Sequence, residues 1–247
     1  RLTEDADSSV LLIEAGPTDR NPMIRIPLLW MQFVKNKYHD WGYETQPEPN
    51  MDNREMECVR GKVLGGCSSI NAMTVVRGNC NDYERWKKTG LDQWGYDDVL
   101  PYFKKLESWG GEPDDGDIRG LSGPFKVRPS TYQDPLYDAY LAAADQMGMG
   151  RAEDYNAKDQ LGLARSQQNI FKGRRFSAAD AFLKPILKRP NLTVRLKQFV
   201  TRLVFDGNKT IGIELAGSNG QLAVIKAERE VIVSTGAINS PHLLMLS

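Results

Sequence analysis

Residues 9–14 read S-V-L-L-I-E, an unbroken apolar run that ends on an acid and is followed by Ala15-Gly16-Pro17. A strand with one wet face alternates apolar and polar residues, whereas a strand covered on both faces reads as a continuous apolar run. The run therefore predicts a short strand in a parallel sheet with helices over it, which places the chain in the α/β class, α+β overall. Residues 230–234 (E-V-I-V-S), followed by Gly236 and an apolar stretch over residues 243–246, predict a second strand of the same kind. The segment R-L-T-E-D over residues 1–5 is too short for a preceding strand and helix, so the expectation is that part of the sheet is supplied from elsewhere.

Punctuation between these two runs is clear. Asp134 can cap a helix with Pro135 at its first position, a buried stripe of Leu136, Ala139, Tyr140, Ala143, Ala144 and Met147, and a stop at Gly148. Ser177 followed by Asp180 resembles a capping box that opens another helix, which Pro190 must end. Residues 192–195, 199–205, 211–216 and 222–227 are β-rich and separated by Asp206-Gly207 and Ser218-Asn219-Gly220 turns, which predicts a meander leading into the last strand. Residues 110–123 are polar and glycine-rich enough for a long surface loop.

Lys plus Arg equals Asp plus Glu, at 32 each, so no net field favours a polynucleotide or an anionic membrane, and no nucleic acid partner is expected. No apolar run approaches the roughly 20 residues needed to span a bilayer. Cys58, Cys67 and Cys80 have neither metal-ligand spacing nor an even count, so they read as free thiols in a reducing, cytoplasmic setting. Two sequons, at Asn191 and Asn208, would matter only in a secreted protein.

The most informative stretch is G-K-V-L-G-G-C-S-S-I-N, residues 61–71. Paired glycines followed by small residues let main-chain N–H groups approach a phosphate or an aromatic ring system closely, although a tight glycine turn has the same pattern. Downstream stand N-A-M at 71–73, R-G-N at 77–79, Asp82-Tyr83, Trp86 and W-G-Y-D-D-V-L-P-Y-F at 94–103. This whole run resembles the first signature of the glucose-methanol-choline (GMC) flavin oxidoreductases and its flanks. Residues 236–247, G-A-I-N-S-P-H-L-L-M-L-S, resemble the second signature as far as the sequence runs, and G-R-R-F-S-A-A at 173–179 and R-P-N-L at 189–192 are also similar to that family.

The resemblance implies a Rossmann-like FAD-binding domain over residues 1–118 and 173–247, lacking its first strand and G-x-G-x-x-G turn. Residues 119–172 would be part of an inserted antiparallel-sheet substrate domain. It implies that Glu14 accepts hydrogen bonds from the adenosine ribose of FAD, the place of the acid after the second strand of such a unit. Val63, Gly65 and Gly66 would approach the pyrophosphate and ribityl chain, and Asn71, Ala72, Met73 and Thr74 the isoalloxazine ring. Val200 would pair its main chain with the adenine edge, and Gly236 would close the cradle. Ala72 replaces a glycine common in the family, and Cys67 a Ser or Thr. Ile70 stands where flavinylated relatives carry His, so the FAD is expected to be non-covalent.

The implied activity is oxidation of a small alcohol to an aldehyde or ketone, with hydride transfer to FAD and electrons passed on to oxygen or a quinone-like acceptor. The same cradle also serves flavin-containing lyases and decarboxylases, and a non-catalytic flavin-binding fragment is a further alternative. In the family a His paired with His or Asn acts as base near the C-terminal end of the full protein, so no catalytic residue is expected here. His39 lies in a polar stretch and His242 at a variable position of the second signature. A complementary segment of the same protein is the expected partner.

Overall fold

The computed structural model describes residues 1–112, 118–157, 160–217 and 220–247. Its principal elements are β1 (Val10–Glu14), α1 (Cys80–Lys88), α2 (Tyr96–Leu106), β2 (Glu107–Trp109), β3 (Phe125–Pro129), α3 (Pro135–Gln146), β4 (Leu192–Leu196), β5 (Phe199–Asp206), β6 (Lys209–Ala216), β7 (Leu222–Lys226) and α4 (Gly236–Met245). They fall into two compact units: Arg1–Asp19, His39–Leu64 and Ile186–Ser247 in the first, Arg20–Tyr38 and Gly65–Pro185 in the second.

In the first unit β1 and β4 pair in parallel, in register from Val10 opposite Leu192 to Glu14 opposite Leu196. The parallel strand read from V-L-L-I-E is present, with all of its residues half-buried. Its start is clamped by Asn191, whose Nδ2 donates to the carbonyls of Thr3, Asp5 and Ser8 at 3.3, 2.9 and 2.9 Å. At the other end Gln198 N–H donates to Glu14 O and Lys197 N–H to Gly16 O, both at 3.0 Å.

Strands β5, β6 and β7 form an antiparallel meander, as the alternation of β-rich runs and turns predicts. The first of the predicted runs does not belong to it. Lys197 adopts a left-handed conformation, φ 57°, which ends β4 and turns the chain out of the parallel pair before β5 begins. Of the second turn, Ser218 and Asn219 lie outside the described residues. Residues 230–234 are also not the strand expected of them. Val231 and Val233 are half-buried and Ile232 is exposed, but no described strand offers the hydrogen-bond ladder that turns an extended segment into part of a sheet.

The second unit holds a mixed sheet: β2 pairs with β3 in parallel, and β3 with Gln167–Gln168 antiparallel. Under it lies a buried ionic cluster. Arg119 donates from Nη1 to Glu107 Oε1 (2.8 Å), from Nε and Nη2 to the two oxygens of Asp154 (2.8 and 2.5 Å), and from Nη2 to Gln167 Oε1 (2.5 Å). Arg77 takes the other Glu107 oxygen at 2.5 Å, and the Trp109 ring lies 3.9 Å from the Arg119 guanidinium. Two arginines thus meet two carboxylates, a fully paired arrangement that buried charge requires. Arg119 comes from the predicted surface loop, so that loop is in part interior: Arg119, Gly120 and Gly123 are buried, while residues 113–117 lie outside the described part.

Helix α3 forms where Asp134 and Pro135 predict it, with Asp134 Oδ1 accepting the Leu136 N–H at 2.8 Å. Its predicted buried stripe is not buried: Leu136, Tyr140 and Met147 are 77, 61 and 76% exposed, and only Ala144 is enclosed. Periodicity identifies a helix's apolar face but not what covers it. The predicted capping box is also present: Ser177 N–H and Oγ both donate to Asp180 Oδ2 at 2.9 Å. It opens a π-turn over Ala179–Leu183 and a 3-10 turn over Lys184–Ile186, which finish before Pro190. Among the described residues no helix is long and apolar enough to cross a membrane.

Candidate functional site

In the first unit Glu14 closes β1 and turns its carboxylate back on the chain, where Oε1 accepts the Gly16 N–H at 2.7 Å. Burial pushes its pKa up, against the opposing pull of that N–H and of Lys62. Val63 is fully enclosed, so only its backbone is free to meet a ligand. The segment around it is tied to the loop after β1, with Leu64 N–H donating to Pro17 O at 2.9 Å and Lys62 N–H to His39 O at 2.6 Å. Val200 lies on β5, an edge strand of the described meander, immediately before a register shift between Val200 and Arg202. Bulges of this kind re-aim backbone groups at a sheet edge. Gly236 opens α4 with φ 92°.

A feature that sequence reasoning missed links these parts. Tyr43 hydroxyl donates to Asn239 Oδ1 on α4 at 2.5 Å, and Trp41 stacks on the Tyr43 ring with centroids 6.1 Å apart. Lys62 Nζ stands 4.4 Å from the Trp41 ring, which fixes the segment leading into Val63.

The second unit holds the rest of the glycine stretch. Gly65 and Gly66 are both left-handed, at φ 93° and 56°. A Cβ on Gly65 would come 2.5 Å from Ser69 Oγ, whereas one on Gly66 would meet nothing within 4 Å. One glycine is required by close packing, and the next presents bare backbone to open space. Ser68 Oγ donates to Gly65 O at 2.6 Å and accepts the Ala178 N–H at 2.8 Å, which sets the short 3-10 turn Gly66–Ser69. Ile70 is buried, at 3% exposure, within the packed interior.

Beyond it Asn71 and Thr74 are exposed and Ala72 half-buried, while Met73 is buried and left-handed at φ 64°. That conformation strains a long side chain, and such strain persists only where the surroundings impose it. Here Asn71 Oδ1 accepts the Met73 N–H at 3.0 Å, and Met73 O accepts the Asn169 N–H at 3.1 Å. Arg175 completes the support, with Nη1 donating to Asn71 Oδ1 at 2.8 Å and to Ser68 O at 3.1 Å. Its inward aim comes from a two-residue hairpin in which Lys172 and Gly173, at φ 50° and 72°, join Ile170–Phe171 to Arg174–Arg175. The structure therefore brings Gly65, Gly66, Asn71, Ala72, Met73 and Thr74 into one stretch braced by Ser68 and Arg175, and holds Glu14, Val63, Val200 and Gly236 in the other unit.

A family model of GMC oxidoreductase matches residues 10–247. The chain belongs to the GMC oxidoreductase family. It is 46% identical over 248 residues to an oxygen-dependent choline dehydrogenase of Rhizobium etli, covering all of this chain and 44% of that protein. Pyridoxine 4-oxidase from Mesorbium loti superposes on 99% of this chain with a TM-score of 0.91 at 36% identity, through 48% of its own length. A FAD-dependent oxidoreductase from Chaetomium thermophilum gives a TM-score of 0.90 at 29% identity, over 100% of this chain and 44% of its own. The chain thus spans less than half the length of these relatives. Of the two histidines, His39 gives its carbonyl to Lys62, and His242, at a variable position of the second signature, lies exposed on α4.

Proposed function

We propose that this chain is the FAD-binding portion of an oxidoreductase that converts an alcohol to an aldehyde or ketone. The observation that carries the reading is the bare backbone at Gly66, open to a ligand and continuous in sequence with the braced stretch 71–74, in a chain of this family. The donors fit the group: N–H groups from left-handed glycines suit a pyrophosphate, and exposed backbone at 71–74 suits the edge and face of a flat ring. Bound FAD would supply the hydride acceptor.

Each residue then has a task. Glu14 accepts from the ribose hydroxyls, its second oxygen left available because Oε1 alone holds the Gly16 N–H. The backbones of Val63, Gly65 and Gly66 receive the pyrophosphate and ribityl chain, Val200 receives the adenine edge, and Gly236 leaves room where a side chain would intrude. Asn71, Ala72, Met73 and Thr74 seat the ring. The alcohol's hydroxyl proton goes to a base in the remainder of the full-length protein, and the reducing equivalents to oxygen or a quinone-like acceptor. An oxygen-dependent dehydrogenase among the relatives supports the first acceptor. Residues 119–172 are proposed as part of the substrate-binding domain. The use of cysteine, with Cys58 and Cys80 held as thiols, supports a reducing compartment such as the cytoplasm.

The full-length protein should show flavin absorbance bands that bleach when a small alcohol such as choline is added without oxygen. Bands that persist across a panel of alcohols would remove the oxidoreductase reading and leave a lyase or a silent flavoprotein. Because Ile70 is a buried hydrocarbon with no atom able to form a flavin bond, acid precipitation should release the yellow colour into the supernatant. Colour that stays with washed precipitate would contradict non-covalent binding.

A further inference from the structure

Arg175 is held unlike the other buried arginines of the second unit. Arg77 and Arg119 are each paired with carboxylates. Arg175 is equally enclosed, at 1% exposure, yet its partners are all neutral: Ile24 O at 3.0 Å, Ser68 O at 3.1 Å and Asn71 Oδ1 at 2.8 Å. Its Nη2 is buried without any hydrogen bond, and among the described residues no carboxylate is ion-paired with it. Burial lowers its pKa to about 10, which still leaves it charged at neutral pH. An uncompensated buried charge is costly, and proteins keep one where its field or its grip on neighbours has a use.

Both uses are visible in the geometry. The Asn71 carbonyl that Arg175 grips is the one that accepts the Met73 N–H, so the guanidinium braces the left-handed backbone at Met73 through Asn71. The charge also sits directly behind residues 68–71. We propose that Arg175 is a positioning residue that fixes the backbone of 71–74 and places an unneutralised positive charge behind it, thereby raising the electron affinity of the ring seated there. This rests on the reading of 71–74 as the ring seat. The ring gains negative charge on reduction, and in a low-dielectric interior a nearby cation stabilises the reduced form more than the oxidised one.

The test uses full-length protein reconstituted with FAD, and its readout is the two-electron midpoint potential measured anaerobically against a reference dye. Arg175→Met should bind FAD and shift the reduction equilibrium tenfold or more toward the oxidised form, a potential lower by about 30 mV or more. Arg175→Lys, which keeps the charge but loses the fork, should restore most of that shift. Arg175→Gln, which keeps an amide donor toward Asn71 but carries no charge, decides the matter if Arg175→Met does not fold, and its potential should fall in the same direction. FAD-loaded Arg175→Met and Arg175→Gln proteins with the parental potential would overturn this inference and leave the FAD reading intact. A potential that falls equally in Arg175→Lys would overturn the role of charge. A parent protein that takes up no FAD would instead overturn the reading on which both rest.

Discussion

Glu14→Ala is expected to weaken FAD binding by the full-length protein ten- to a hundredfold or more, measured by dialysis against dilute buffer. A carboxylate that accepts two ribose hydroxyls makes charge-assisted hydrogen bonds worth roughly 1.5–3 kcal/mol each, and alanine makes none. Glu14→Gln should lose less, because its carbonyl can keep the Gly16 N–H and present one polar group to the ribose. The ribose is remote from the reacting carbon, so either variant resaturated with excess FAD should recover most of its turnover. The pH dependence has a definite sign. Burial raises the Glu14 pKa above its ordinary 4.5, so in the empty protein the carboxyl takes up its proton at a higher pH than a free glutamate, and affinity should fall from that pH downward. In the absence of FAD the same shift favours the folded state below pH 4.5, and that advantage disappears as pH rises through the raised pKa. A Glu14→Ala protein that holds FAD as tightly as the parent would show that β1 is not the adenosine-binding strand.

Arg119→Met should be the most damaging single change to stability. Arg119 is fully enclosed and bonds Glu107, Asp154 and Gln167 at once, so its removal leaves the half-buried Asp154 without its arginine and the buried Glu107 with Arg77 alone. Breaking a buried ion pair on one side costs roughly 3–5 kcal/mol, because the partner charge stays behind without compensation. The expected result is a clear drop in the urea midpoint for the full-length protein, followed by near-ultraviolet circular dichroism. Arg151→Met is the control. It breaks an ion pair with Asp145 whose side chains are 49 and 47% exposed, and it should leave the midpoint nearly unchanged. Equal midpoints for the two variants would mean that the cluster is not holding the second unit together. Acid should act on the same cluster. Burial alone would raise the Asp154 pKa, but Arg119, Gln167 and the Asn156 N–H outweigh it and hold it below 3.8, so its contribution is present above that pH and is lost as pH falls through the lowered value.

Local chemistry made much of this fold legible in the sequence. V-L-L-I-E is a parallel strand, Asp134-Pro135 starts a helix, and Ser177 with Asp180 forms a capping box, each because a short-range rule decides it. The misreadings all concern partners that periodicity cannot name. Residues 192–196 have the pattern of a meander strand but pair with β1; residues 230–234 are apolar and extended yet meet no described ladder; the α3 stripe is apolar yet exposed. At the candidate site the glycines, Asn71 and the neighbouring residues stood out through their resemblance to a family signature. Arg175 did not, because two consecutive arginines in a hairpin point to opposite sides, and nothing in G-R-R-F says which faces inward until the Lys172-Gly173 turn fixes it. Arg119 was hidden by a glycine-rich surrounding that reads as solvated loop.

Asn191 has a consequence for how the protein can be made. Its sequon is a substrate for glycosylation in a secretory pathway, but the amide nitrogen that would carry the sugar is the one that reaches the carbonyls of Thr3, Asp5 and Ser8. A glycosylated amide keeps a single N–H and carries a bulky polar group, so it cannot span those carbonyls beside the start of the parallel pair. The Asn208 sequon lies exposed in the two-residue connection between β5 and β6, where a sugar would be tolerated. Export through a glycosylating host would therefore select against the clamped register of the N-terminal segment, whereas synthesis in a compartment without oligosaccharyl transfer leaves it free to close.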